Sequence, residues 1–240
     1  MDTYGADLWF REVPRRVPAG VGRRVQNVLE RTEATQRRSA ARLRACGQED
    51  QAREIERSAE WVRFDLDEPL VAQQLYAAAA GLRYVQRLEL LAGRALETVL
   101  SLARADRGNL QLADGASGAL RIAAQHGFDA EFLDHFTVVD DDASACGRVA
   151  RHGAQLIIPD VTTDPGFAPH REIAAASGFR AVQSTPLADK AGRLVGVVST
   201  HYPRPFAPSA RDLHIIRRYA NLVGQILASR VGTVQPDRFP

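Results

Sequence analysis

Two cysteines, Cys46 and Cys146, are all the thiol this chain has. They lie far apart with no CxxC spacing, which argues against a zinc site. One long-range disulfide is the only pairing they allow, and the sequence supports it only weakly. Lysine is almost missing. Lys190 stands alone, and arginine carries nearly all the positive charge. With 31 basic and 29 acidic residues the net charge is +2, too mild to point to nucleic acid, and no dense basic run occurs. No apolar run reaches membrane-span length, and the N-terminus lacks a signal peptide's hydrophobic core. The expectation is a reduced, cytoplasmic protein without membrane or nucleic-acid partners. No glycine-rich phosphate loop and no HExxH appear. The first histidine is His126, so the preceding helices cannot carry a phosphoacceptor histidine.

What is present is an ordinary globular composition, 45% apolar and 25% charged over 240 residues. Residues 1–20 read as an irregular arm docked through Trp9 and Phe10. Residues 21–81 read as a helical segment suited to packing or dimerisation. Its first helix carries a thin stripe of Val21, Val25, Val28, Thr32, Thr35, Ser39 and Leu43, closed at Cys46-Gly47. A second helix runs from about Glu49 to Phe64. Pro69 suits the first turn of a third, read as one long helix to about Ala105 that Gly81 and Gly93 bend or interrupt.

From Gly108 the pattern changes. GNLQLA and ALRIAAQH read as two strands around the turn at 114–118. Residues 129–137 make a short helix with Phe132, Leu133 and Phe136 on one side. Asp140–Asp142 reads as a solvated loop rather than a cation site, because consecutive carboxylates do not converge. Ser144 caps a helix that Gly153 closes. Residues 155–161 form a strand, and a loop with Pro165 and Pro169 leads into another short helix. Pro208-Ser209 opens a final helix to about Val231, and 232–240 is a loose tail.

The centre of the chain is GFRAVQSTPLADKAGRLVGVVSTHY, residues 178–202, two strands around a polar turn at Gly192. Strand alternation puts Phe179, Ala181, Gln183 and Thr185 on one face and Arg180, Val182 and Ser184 on the other. In the second strand Val195, Val197, Ser199 and His201 share a face. Arg180, Ser184, Ser199 and His201 thereby gather among small aliphatics. Polar groups on a covered face need partners, and a pocket supplies them. A histidine, hydroxyls and a guanidinium suit an anionic or amide-bearing ligand. The bland alternative is that these groups satisfy one another. Cys146, in the first turn of its helix, reads as a small buried thiol.

The order of elements, with GNLQLADGASGALRIAAQHGF, SACGRVARHG, IIPDVTTDP and AVQSTPLADKAGRLVGVVSTHY, resembles the GAF domain over about residues 82–231. The resemblance implies an α+β fold, PAS-related, with an antiparallel sheet sandwiched by helices. The first and last helices pack on one face, and crossing loops and short helices form a ligand pocket on the other. It also implies dimerisation through the terminal helices. Within the family, His170, Gly178-Phe179-Arg180-Ala181, Ser184 and His201 are similar to bilin-contacting positions of bacterial phytochromes. No cysteine stands beside His170, and no second sensory domain precedes this region, so the pocket positions carry over but the bilin does not. Some GAF proteins reduce free methionine sulfoxide, but with clustered cysteines that are lacking here.

The expected site is therefore His201, His170, Arg180, Val182, Ser184, Ser199, Phe132, Phe136 and Cys146. The expected role is non-enzymatic sensing of an unidentified small molecule, with the cofactor left unknown. A homodimer would pass the signal to a separate effector such as a kinase or regulator. The alternatives are a heme- or bilin-type cofactor sensor and a ligand-free interaction module.

Overall fold

The computed structural model describes residues 19–231, with side chains from 26. Residues 1–18 of the expected arm and the loose tail lie outside the described residues, while Ala19 and Gly20, expected in the arm, already belong to the first helix. The chain divides into two compact units, one ending at Ala77 and the other beginning at Ala78.

In the first unit, α1 (Ala19–Ala45) and α2 (Glu49–Asp67) form an antiparallel pair. Gly47, at φ 74°, turns the chain between them. The buried residues of the pair are mostly small, Ala40 on α1 and Ala52 and Ala59 on α2, with Phe64 the one large side chain. Polar pairs complete the seam. Gln36 Nε2 donates to Ser58 Oγ at 2.8 Å, and Arg44 grips Glu56 through two 2.7 Å bonds. The buried stripe keeps Ser39 and Leu43 of the expected one but not its middle, and the side chains of Val21 and Val25 lie outside those described. Val28 is 62% exposed and Thr32 and Thr35 face solvent, while Leu29, Gln36, Ala40 and Leu43 turn inward. α3 (Pro69–Leu82) follows, with Pro69 as its first residue.

The long third helix is interrupted just after Gly81, one of the two expected places, and runs unbroken through Gly93. α3 stops at Leu82, and α4 (Leu88–Ala103) starts afresh after five residues without helical structure. The apolar stripe runs on through buried Val85, so periodicity alone does not reveal the gap. The carbonyls freed there find a distant donor: Arg230 bonds Arg83 O at 3.2 Å and Gln86 O at 3.5 Å.

The second unit is built on a five-stranded antiparallel sheet of order β2-β1-β5-β4-β3. Its strands are β1 (Arg107–Ala113), β2 (Leu120–His126), β3 (Leu156–Ile158), β4 (Ala181–Ala188) and β5 (Leu194–Tyr202). β3 is shorter than the expected 155–161. β5 lies at the centre and every one of its residues is buried, so the hairpin is covered on both sides as its composition requires. Asp189 fixes the β4–β5 turn, accepting from Arg193 N at 2.8 Å, with Gly192 at φ 82°.

One face of the sheet packs on α4 and on α8 (Ala210–Leu227), capped by Ser209. The other carries short elements: α5 (Ala130–His135), α6 (Ala145–His152), a 3-10 turn at Pro165–His170 and α7 (Arg171–Ala176). Ser144 caps α6 by accepting from Gly147 N at 3.0 Å, and Gly153 ends it at φ 64°. Leu120, Phe132, Val149, Ile158, Phe167 and Val197 centre the core beneath these elements.

Candidate functional site

Strand register places the polar side chains of this second face in rows. In the first, Arg107 on β1 stands beside His201 on β5, and His201 beside Val182 on β4. In the second, Asn109 stands beside Ser199, and Ser199 beside Ser184. In the third, Gln111 stands beside Val197, and Val197 beside Pro186. Ser184 and Ser199 share a hydroxyl hydrogen bond of 2.7 Å. Asn109 Oδ1 and His201 Nδ1 are buried and have no protein partner.

Above this floor stands a roof of phenylalanines. Asp129 caps α5 by accepting from Phe132 N at 3.1 Å, and α5 turns Phe132 and Phe136 down towards the sheet. Phe167 comes from the 3-10 turn, where Asp164 caps the first turn at 2.8 Å. The ring of His201 meets Phe179 edge-on at 4.6 Å and Phe128 at 4.9 Å between centroids. Phe128 stacks on Phe132 at 3.6 Å. Burial in this apolar shell, with the positive charge of Arg107 behind it, drives the His201 pKa down to about 3, so its imidazole is neutral.

Between floor and roof is a cavity bordered by Asn109, Ser184, Ser199 and His201 below and by Phe132, Phe136, Phe167 and Phe179 above. Val182, Ser144, Ala145 and Cys146 close its sides. It is small. About 20 Å³ is open to the centre of a water-sized sphere, room for about one water.

Seven of the nine residues singled out from sequence meet at this cavity: His201, Val182, Ser184, Ser199, Phe132, Phe136 and Cys146. Two do not line it. Arg180 is exposed, paired with Asp160, and also donates to Thr162 Oγ1 at 3.3 Å. β4 begins only at Ala181, so strand alternation does not extend back through 179–180, and Phe179 takes the cavity side instead. Arg180→Ala should therefore leave binding at this cavity unchanged and cost less than about 1 kcal/mol in a urea melt, as exposed ion pairs do. His170 packs behind the roof, 5.2 Å from Phe136 and 5.5 Å from Phe167 between ring centroids. Its Nδ1 lies 2.9 Å from His135 Nε2, tying α5 to the 3-10 turn. Burial, then the neighbouring His135, lowers its pKa.

Cys146 Sγ lies 3.2 Å from Ser144 Oγ, and burial pushes its thiol pKa up. Both cysteines are free thiols, Cys46 exposed and Cys146 buried. Asp140–Asp142 is exposed, and Asp142 pairs with Arg151 at 3.0 Å. Among the described residues no cluster of three or more potential metal ligands occurs, and no helix is long and apolar enough to cross a membrane.

Asn109, Phe167 and Phe179 were not anticipated. For Asn109 the signal was there: Asn109 and Gln111 alternate with Leu110 and Leu112, the mark of a strand with one polar face.

The GAF domain family model matches residues 87–227, more than half of the chain. The chain belongs to the GAF family, with the α+β fold that this implies. A comparison with curated proteins returned no match. Among solved structures, it is similar to the GAF domain of a phosphoenolpyruvate-protein phosphotransferase from Coxiella burnetii. That match has TM-score 0.55 and 14% identity, over 68% of this chain and 94% of that one. An A. aeolicus Nlh2 GAF domain in an inactive state gives 0.51 and 21%, over 70% and 99%. A free methionine-R-sulfoxide reductase from Neisseria meningitidis, in complex with its substrate, gives 0.53 and 18%, over 66% and 87%. At these identities the likeness is one of fold.

Proposed function

We propose that this GAF domain is a non-enzymatic sensory or regulatory module that binds a small uncharged molecule between the sheet and the phenylalanine roof. One observation carries the reading. Asn109 Oδ1 and His201 Nδ1 are buried without partners beneath an aromatic cover, and buried polar groups are paired in nearly all native sites. An entering molecule supplies the missing bonds. An anion is disfavoured, because no charged side chain borders the cavity and His201 stays neutral. The buried Cys146 thiol, with its raised pKa, makes a poor nucleophile, which supports a binding rather than a catalytic role.

The roof consists of short elements, six residues each in α5, the 3-10 turn and α7. Such elements have low local stability and shift readily. A ligand that binds the lifted roof better than the closed one moves that equilibrium. The signal would leave through α4 and α8 on the opposite face, to a second copy of the chain and a separate effector. Leu90 on α4 and Tyr84 before it are 49% and 84% exposed, which suits such a contact.

A second reading is favoured by the small cavity: a closed module that acts only through its surfaces. A tetrapyrrole does not fit the space as it stands, so heme or bilin would require the roof to be displaced. Visible absorbance of the purified protein tests that directly. Thermal shift against uncharged ring compounds, nucleobases and amino acids separates the other two readings. Binding should raise the melting temperature with ligand concentration, and His201→Ala should abolish the rise while leaving a folded domain. An unchanged rise in that variant would remove His201 from the site. No rise with any compound would favour the closed module.

A further inference from the structure

Gln111 is a glutamine fully removed from solvent, with neither its amide oxygen nor its nitrogen bonded. It lies on the same face of β1 as Asn109, one row further along, about 7 Å away by strand geometry. Its neighbours in register, Ile122 and Val197, are apolar. An aliphatic residue of similar size would suit that place better, since an unpaired buried amide is costly. We infer that the ligand is an uncharged ring compound with a carboxamide or lactam edge, met by Asn109 and, once the roof lifts, by Gln111. The inference rests on the reading of the cavity as a ligand site.

The unmet groups define this chemistry. Asn109 Oδ1 and Gln111 Oε1 need donors, Gln111 Nε2 needs an acceptor, and His201 Nδ1 plays either part by tautomer. A carboxylate offers acceptors only and leaves both amide oxygens unpaired. A hydrocarbon satisfies none of them. An amide or lactam brings donor and acceptor together. The nearby cations are engaged elsewhere: Arg107 with the carbonyls of Ser177 and Gly178, Arg180 with Asp160, and Arg148 with Asp164. A carboxylate would therefore lose its hydration and gain no counter-charge. The phenylalanine roof matches a flat ring.

Benzamide, benzoate and ethylbenzene share one ring and differ in the group the floor would read. Titration of the full chain with each, by calorimetry or protein-observed NMR at neutral pH, should rank benzamide tightest, by about tenfold or more. Gln111→Leu should cost benzamide about tenfold in affinity and leave ethylbenzene unchanged. That variant removes a buried unpaired amide, so a melting temperature at or above wild type confirms that its fold is kept. Benzoate binding as tightly as benzamide, or benzamide unaffected by Gln111→Leu, overturns the inference while the cavity stands as a ligand site. Binding of none of the three overturns both.

Discussion

Acid should unfold this protein largely through His201. The residue is neutral in the folded domain, with a pKa near 3, against 6.5 for an exposed imidazole. Below pH 6.5 the unfolded chain takes up a proton that the folded domain refuses. Stability therefore falls with falling pH until the folded state is itself protonated near pH 3. The full span corresponds to about 5 kcal/mol, and to about 3 kcal/mol by about pH 4. His201→Leu removes this term together with one unpaired buried nitrogen, so its stability at neutral pH should stay within about 1 kcal/mol of wild type. Urea melts of both proteins from neutral to about pH 4 should diverge steadily as the pH falls, with the variant losing less. His170, also lowered by burial, adds a slope of the same sign in both proteins. The lowered carboxylates Asp114 and Asp160 stabilise above the ordinary carboxylate range and are lost at lower pH still, again in both. Parallel curves would mean that water reaches the His201 ring in the folded state and the roof does not seal the site.

Two glycine-to-alanine changes in helices should move stability in opposite directions. Gly224 on α8 lies against β4, where an added methyl would come within 2.5 Å of the Ala188 backbone nitrogen and closer still to its carbonyl oxygen. Backbone cannot swing aside like a flexible side chain, so α8 must lift from the sheet. Gly224→Ala should cost about 2–4 kcal/mol despite alanine's better helix propensity. Gly93, inside α4, would meet nothing within 4 Å. There the same change should stabilise by about 0.5–1 kcal/mol, since only propensity acts. Denaturant melts of the two variants beside wild type read the contrast. Equal effects would mean that α8 does not seat on β4 as closely as described.

Much of this architecture is written in local pattern. The β4–β5 hairpin follows from alternation around a Gly192 turn, α6 from Ser144 and Gly153, and α8 from Ser209. The covered sheet follows from the apolar residues on both faces of β5. What local pattern misses depends on partners far along the chain. The gap between α3 and α4 is supported by Arg230, which no stripe within residues 69–105 encodes. Arg180 left the expected site because the strand starts one residue after it. The facing of Asn109 and Gln111 can be assigned only once β1 is paired with β5. The cavity's size is a matter of packing among phenylalanines from three separate segments, and periodicity carries no information on it.

Protein-observed NMR during a screen of small uncharged ring compounds probes the central proposal most directly. Binders should shift the backbone resonances of Ser184, Ser199 and His201 on the floor together with those of Phe132 on α5 and Phe136 just after it, saturably and in one set. Shifts confined to the outer surface, or a floor that stays silent to every compound, would contradict it.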